Sequence, residues 1–450
     1  MRLASVATSK RRGPLTTTGE TFKLGARPAD QATEKLHWPV IVLASLGGAL
    51  EFYDFIVYGI FAQYVAAAFF PSADPLISLI NAFAVFAVGY VSRPLGGIVL
   101  GHIGDRYGRR TSFLLSLLIM TVATIGMAVM PSYATLGVSA SIAFTALRFI
   151  QGACLGGELP NAITYVVEAA PRRAGLAGGV VFFCVNTGVF VASAVSSTLH
   201  SYLSATEMQD YGWRLAFGIG GLLGLVSYFL RRSLEESAAF QRMRTKVAKL
   251  PAVDVLKRFP VALLVGIGIT GVISVLNGVM FGAMAPYLTK VLNYDPREAA
   301  LALNISTGIS SLGILAVGYA SDFVPRRYLH RIGATLLALL SYPAYQAMTA
   351  HSIDLYLLFI LIGLVAPFTY ATYAVILTDL FPTDVRLSGV AIAYNVSAGI
   401  FSGFTPLVIG SLIAVTHNPA SPGYFLAASA AIAVIAGFFV KRYSVREAAL

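Results

Sequence analysis

The chain has 450 residues, 57% of them hydrophobic and 12% charged, with a mean hydropathy of +0.74 and a formal net charge of +11. Soluble domains carry about a quarter charged residues, so half that share excludes an ordinary soluble enzyme or binding module. The basic excess is spread through tails and short loops between apolar stretches, which reads as a topology signal and argues against nucleic-acid binding.

A helix that spans a bilayer needs ~20 mainly apolar residues. Twelve such stretches are predicted, at 38–67, 76–101, 111–131, 137–168, 174–203, 212–231, 260–290, 297–320, 329–350, 353–381, 387–415 and 421–440. The ~10-residue alternating segments of membrane β-barrels are absent, so the expected fold class is an all-α membrane protein. Residues 1–37 read as a cytoplasmic tail, although a Ser/Thr-rich, acid-poor composition is shared with transit peptides. With that tail inside, 27 of the 32 Lys and Arg fall on the cytoplasmic side and only Arg214, Lys290 and Arg297 outside. Both termini are therefore expected in the cytoplasm, with the chain multi-pass in a plasma (inner) membrane.

In the first stretch Glu51, Asp54 and Tyr58 share one narrow helical face at 100° per residue. An ionisable group at mid-membrane costs at least ~2.5 kcal/mol and faces a cavity or a partner. Two carboxylates one turn apart repel, which favours a proton on one of them. Glu51 and Asp54 are thus proton-site candidates, the alternative being an acid that merely ties helices together. The second stretch ends in Arg93-Pro94-Leu95-Gly96-Gly97, with Gly97 and Gly101 at the spacing that lets helices approach closely. Arg93 needs an anion, either a protein carboxylate or a substrate.

Between the second and third stretches lies Gly101-His102-Ile103-Gly104-Asp105-Arg106-Tyr107-Gly108-Arg109-Arg110. In the fourth, Arg148, Gln151 and Glu158 share a polar face, with Gly152 and Gly156 as a packing seam. It exits at Glu168-Ala169-Ala170-Pro171-Arg172-Arg173. Cys154 and Cys184 fall inside helices, so neither a disulfide nor a metal site is expected. Residues 232–259 read as an amphipathic inner-surface helix plus linker, too short for a soluble catalytic domain.

The second half repeats both loop patterns, as Gly318-Tyr319-Ala320-Ser321-Asp322-Phe323-Val324-Pro325-Arg326-Arg327 and as Asp379-Leu380-Phe381-Pro382-Thr383-Asp384-Val385-Arg386. Two motifs in the same order at offsets of 217 and 211 residues imply a duplication. The expected domains are a six-helix bundle at 38–231 and another at 260–441, with a short tail at 442–450. Membrane-embedded acids are confined to the first half. The second half offers amides and tyrosines, of which Asn277, Tyr394 and Asn395 are binding candidates because amides in hydrocarbon need partners. The face Asn277, Phe281, Met284 otherwise reads as packing. The six histidines lie mainly at helix ends or in tails without metal-ligand spacing, which argues against an embedded enzyme.

On these residues the chain resembles the major facilitator superfamily from about 38 to 441. The stretch Gly101 to Arg110 is similar to that superfamily's signature between its second and third helices. Within it the resemblance is to the metabolite:proton symporters, which include citrate, oxoglutarate, shikimate and proline/betaine importers. It rests on Glu51-Phe52-Tyr53-Asp54-Phe55, Arg93-Pro94-Leu95-Gly96-Gly97, Arg148 with Gln151-Gly152 and Gly156-Gly157-Glu158, and Arg232-Ser233-Leu234-Glu235-Glu236. Departures are Leu159-Pro160-Asn161, where an aromatic and small residues are usual, and a fifth helix without Arg or Lys.

The resemblance implies two pseudo-symmetric six-helix bundles and proton-coupled import of a small organic carboxylate or zwitterion by alternating access, in a monomer without cofactor. Glu51, Asp54 or Glu158 would carry the proton. Arg148, Arg93, Tyr58, Gln151, Asn277, Tyr394 and Asn395 would bind substrate. Gly101, Asp105, Arg106, Arg109, Arg110, Glu168, Asp322, Arg326, Arg327, Asp379 and Arg386 would form a cytoplasmic gate holding the outward-open state. The competing reading is a proton-coupled efflux antiporter on the same fold.

Overall fold

The computed structural model describes residues 38–72, 75–233, 235–236, 241 and 250–445, apart from the side chains at 51, 75, 76, 79, 80 and 83. The expected tail at 1–37, residues 234, 237–240 and 242–249 of the 232–259 linker, residues 446–450 and the Glu51 side chain lie outside the described residues, while the linker ends in a short helix at Pro251–Arg258.

Twelve helical rods follow one another: α1 (Trp38–Ile60), α2 (Pro75–Tyr107), α3 (Arg109–Val129), α4 (Val138–Ala169), α5 (Ala174–Tyr202), α6 (Trp213–Arg231), α7 (Pro260–Val291), α8 (Pro296–Ala320), α9 (Arg326–Thr349), α10 (Leu355–Leu380), α11 (Arg386–Thr416) and α12 (Pro422–Tyr443). No strand occurs among the described residues. Eleven of these rods are long and apolar enough to cross a membrane. The remaining one, α9, has the length but opens with Arg326, Arg327, His330 and Arg331. Each stretch predicted from hydropathy overlaps a rod, the first running past a turn at Phe61 into a separate short helix at Ala62–Phe69. The ends were harder to see, because α2, α4 and α12 run past their apolar cores into charged turns. Arg442, expected in the tail, still belongs to α12.

Local chemistry fixes several starts. The Asp295 side chain accepts from the N–H groups of Arg297 and Glu298 ahead of α8, and Asp354 accepts from Leu357 ahead of α10. Such caps satisfy donors that the first turn leaves without partners. Between α2 and α3 the chain turns at Gly108 with φ 112°, a left-handed conformation that strains residues with a Cβ. That turn sends Arg109 inward. Beyond Asn277 and again beyond Ser397, α7 and α11 relax into π-helical turns at Gly278–Ala283 and Ala398–Ser402, a feature frequent at functional sites.

α2 packs against α4, α1 against α5 and α3 against both α4 and α6, while α9 and α7 pack on α12 and α8 on α10. Contacts between the halves run chiefly along α2–α11 and α5–α8. Glycines make the α2–α4 seam: a Cβ on Gly96 would collide with the Ala153 carbonyl, and one on Gly156 with the Arg93 carbonyl. The polarity is inverted relative to a soluble protein. Leu312 and Leu339 are each 67% exposed, whereas Arg109, Arg148 and Arg231 are wholly buried. Lipid explains the first pattern and internal partners the second.

Candidate functional site

Polar side chains collect at three levels: a buried network inside the first half, a cavity between the halves, and a layer of ion pairs at the end where α2 meets α3 and α8 meets α9.

The buried network is centred on Asp54, which is 4% exposed. Its Oδ2 accepts from Thr124 Oγ1 at 2.8 Å and from Gln151 Nε2 at 3.5 Å. Gln151 donates to Thr124 as well and accepts from Arg148 Nη1 at 2.5 Å. The amide therefore stands between the carboxylate and the guanidinium. Asp54 Oδ1 and Arg148 Nε and Nη2 are buried without hydrogen-bond partners, an expensive arrangement for charged groups. The Arg148 guanidinium lies 4.4 Å from the Tyr58 ring centre, and the Tyr58 hydroxyl is spent on the Ala82 carbonyl. Tyr58 and Gln151 thus position Arg148 and do not line the cavity.

That cavity, of about 20 Å³ and so with room for about one water, is walled from the first half by Phe52, Phe55, Tyr90 and Arg93 and from the second by Asn277, Phe281 and Tyr394 among others. The Phe55 ring separates it from the buried network, with the Arg93 guanidinium 5.3 Å and the Arg148 guanidinium 5.5 Å from its centre. A second chamber of about 40 Å³ lies along α5, α7, α8 and α10, and Phe281 belongs to the walls of both. Tyr370 donates to Asn277 Oδ1 at 2.6 Å, joining the two chambers' linings. Sequence reasoning took Phe281 for packing. It lies four residues from Asn277 on the same helical face, within a π-helical turn that a 3.6-residue pattern does not announce.

Two candidates fall elsewhere. Glu158 forms a buried ion pair with Arg231 at 2.6 Å and accepts from Ser116 at 2.9 Å. Arg231 also donates to the Leu43 and Ala44 carbonyls, so the pair staples α1, α3, α4 and α6. Arg231, one of the 27 basic residues assigned to the cytoplasmic side, closes α6 with no exposure. Asn395 donates to the Gly156 carbonyl at 2.6 Å across the α11–α4 contact and is absent from the cavity wall. The unusual Asn161 donates to Ser112 at 3.0 Å, a tie between α4 and α3.

At the charged end, Asp105 accepts from the Leu387 and Ser388 N–H groups, 3.1 and 2.7 Å away. It caps α11, a helix of the other half. Asp322 does the same for α5 through Gly175 and Leu176. Burial pushes the Asp322 carboxyl above its ordinary value, while those N–H groups and Arg326 pull it back. Carboxylates at helix N-termini also meet the positive end of the helix dipole. Arg109 pairs with Asp105 at 2.8 Å and approaches Glu168 at 3.5 Å, and Arg326 pairs with Asp379 at 2.9 Å. Arg386 reaches across to Glu168 at 3.0 Å. Gly101 lets α2 approach Ser388 of α11, where a Cβ would sit 3.1 Å from its Cα.

Not all of the expected gate residues share this layer. Arg106 is exposed against Tyr107, Arg110 bonds the Arg232 carbonyl and Glu236, and Arg327 lies over Tyr328. Arg173, quoted in the α4 exit motif but given no gate role, packs on Tyr319 and Phe323 of the other half, 5.4 and 5.1 Å from the ring centres.

Residues 40–258 match the family described as Sugar (and other) transporter, and residues 267–449 match the Major Facilitator Superfamily. The chain is 32% identical over 416 residues to the proline/betaine transporter of Escherichia coli (strain K12), covering 89% of this chain and 83% of that protein. It is 32% identical over 426 residues to the citrate-proton symporter of Klebsiella pneumoniae, covering 90% and 95%. In three dimensions it is similar to the proton:xylose symporter XylE, with a TM-score of 0.74 at 18% identity over 90% of this chain and 95% of that one. It is likewise similar to the E. coli fucose:proton symporter FucP, with a TM-score of 0.67 at 14% identity over 89% and 98%.

Proposed function

This chain belongs to the major facilitator superfamily, within it to the metabolite:proton symporters, and from that premise we propose that it takes up a small carboxylate or zwitterion with protons, using Asp54 as the proton carrier. It is a multi-pass membrane transporter working by alternating access. The observation that carries the residue assignment is the Asp54–Gln151–Arg148 chain, separated by a single ring from an arginine-lined cavity between the halves. Substrate binds near mid-membrane, as in repeat-built carriers generally. Its carboxylate pairs with Arg93, while Asn277, Phe281 and Tyr394 wall the site from the second half. Proton binding at Asp54 removes a charge that would otherwise resist crossing.

The two six-helix halves, 38–231 and 260–441, rock about this site. The layer of Asp105, Arg109, Glu168, Asp322, Arg326, Asp379 and Arg386 closes it on the cytoplasmic side, the side that receives most of the Lys and Arg. The carrier acts as a monomer in an inner membrane with both termini in the cytoplasm. Glu158 leaves the proton-carrier group because Arg231 already neutralises it.

The test uses purified full-length protein in proteoliposomes. Acid outside should drive accumulation of a carboxylate or zwitterion above equilibrium, and a protonophore should abolish it. Accumulation that ignores the pH gradient would refute proton symport. Acid-driven expulsion from right-side-out vesicles would favour the efflux antiporter.

A further inference from the structure

We infer that the second half holds a site for a lipid acyl chain, an apolar pocket behind α7 whose occupant steadies the π-helical turn next to the central cavity.

The pocket has a volume of about 210 Å³ and lies among α7, α9, α10 and α12. It follows the last half of α9 and the first half of α10, at the end of the bundle away from the ion-pair layer. Its origin is readable in the residues: α9 contributes Ser341, Pro343, Ala344 and Ala347 to the wall, side chains too small to fill the space between helices. The described lining is apolar apart from Ser341 and Tyr345. Ser341 spends its hydroxyl hydrogen on the Leu337 carbonyl, and the buried Tyr345 packs its ring on Tyr287 at 5.3 Å. A headgroup or an ion entering here would lose hydration with little to replace it. The occupant is therefore hydrocarbon.

The mouth decides where that hydrocarbon comes from. Leu340 and Leu361 line the pocket and are each 48% exposed, and they continue the lipid-facing surface of Leu339, Leu357 and Leu364. The opening thus faces acyl chains. An apolar cavity of ~150 Å³ stays dry and takes up benzene, so this one has room for a segment of alkyl chain. Lipid tails are as apolar as leucine, which leaves no hydrophobic gain on leaving the bilayer. What a chain gains is the dispersion contact that an empty void forfeits. Such a site is weak, but its ligand is the surrounding solvent.

The pocket also touches the transport machinery. Leu276, Met280 and Ile362 line both it and the second chamber. Met280 belongs to the π-helical turn Gly278–Ala283, and its neighbour Phe281 walls the central cavity. Methionine is unbranched and adapts to whatever packs against it, so an empty pocket leaves it without support on one side. A chain in place holds the turn from behind.

The experiment places the full chain in phosphatidylcholine bilayers containing a phosphatidylcholine with a diazirine midway along one acyl chain. After photolysis the labelled residues are mapped by mass spectrometry. Met348 and Leu358 line the pocket and are only 1% and 5% exposed, out of reach of lipid that merely surrounds the protein. Label on them marks the site, and Val122 of α3, 61% exposed, reports surrounding lipid. Ala344→Phe fills the pocket with a ring. Leu340→Trp, at a lipid-facing position that tolerates bulk, narrows the mouth and leaves the pocket empty. Each should lower the label on Met348 and Leu358 roughly tenfold or more, the ratio that ~1.4 kcal/mol of overpacking produces, with Val122 unchanged. Amide hydrogen exchange across Gly278–Ala283 should be faster in Leu340→Trp and stay at the wild-type rate in Ala344→Phe. Melting profiles report folding, and Leu340→Trp carries the labelling test if Ala344→Phe does not fold. Label confined to exposed residues such as Val122, or undiminished on Met348 and Leu358 in a folded variant, overturns the site. So does a wall kept free of label by a second copy of the chain. Equal exchange across the turn in wild type and Leu340→Trp overturns the effect on α7. None of these readouts depends on the substrate or on proton coupling.

Discussion

At the level of single residues, the informative contrast is between Asp54 and Glu158, two buried acids with opposite surroundings. Asp54 has hydrogen-bond donors on one oxygen and none on the other, and an amide holds it away from the nearest arginine. Glu158 is in direct contact with Arg231. Asp54→Asn should therefore abolish accumulation driven by a pH gradient while retaining substrate exchange between loaded vesicles, a difference read from parallel uptake and counterflow assays. Glu158→Gln should act on stability. Breaking a buried pair by removing one partner costs ~3–5 kcal/mol, visible as a marked fall in melting temperature. Replacing both partners by apolar residues should recover most of it. Helical periodicity made the shared faces of Asp54 and of Arg148 with Gln151 legible, because both lie on straight α-helix. It did not reveal the partner of Glu158, because Arg231 sits at the edge of α6, where hydropathy cannot tell a buried cation from a loop cation.

At the level of helices, the glycines divide into two kinds that look alike in the sequence. Gly152 faces α2 so closely that a Cβ would strike the Gly89 carbonyl, whereas Gly59 and Gly218 face open space. Gly152→Val must push α2 and α4 apart, and overpacking of this kind costs ~1–3 kcal/mol or more. Gly59→Ala should be neutral or stabilise α1 by up to ~1 kcal/mol, the helix-propensity difference. Thermal unfolding of the two variants side by side checks the contrast. The spacing of Gly152 and Gly156 was enough to foresee a seam. The π-helical turns of α7 and α11 could not be foreseen, and they carry Phe281, Ala398 and Ser402 of the cavity wall, which helical spacing from Asn277 and Tyr394 already places on that face.

At the level of the whole molecule, the duplication seen in two loop motifs becomes a pair of reciprocal caps, Asp105 on α11 and Asp322 on α5. Each half thus holds the other by a helix end. The symmetry is incomplete: Arg386 crosses to Glu168, whereas Arg173, the arginine at the corresponding exit of α4, rests on Tyr319 and Phe323. The repeat was readable because both halves kept the same residue types. The asymmetry was not, because one arginine pairs with an acid and the other with rings that look like lipid-facing side chains. A carrier's two states differ by only a few kcal/mol, so one such bond matters. If the Glu168–Arg386 pair closes this end, Glu168→Gln should open it, and one to two kcal/mol corresponds to a roughly 5- to 30-fold change in population. Spin labels placed on the exposed starts of α3 and α9 report the opening as a longer distance. Arg386→Gln should do the same, and the double variant no more than either alone, because both remove one bond. Additive effects would mean that the two residues hold the closed end independently, Glu168 through Arg109 and Arg386 through the Thr378 and Phe381 carbonyls to which its Nε donates.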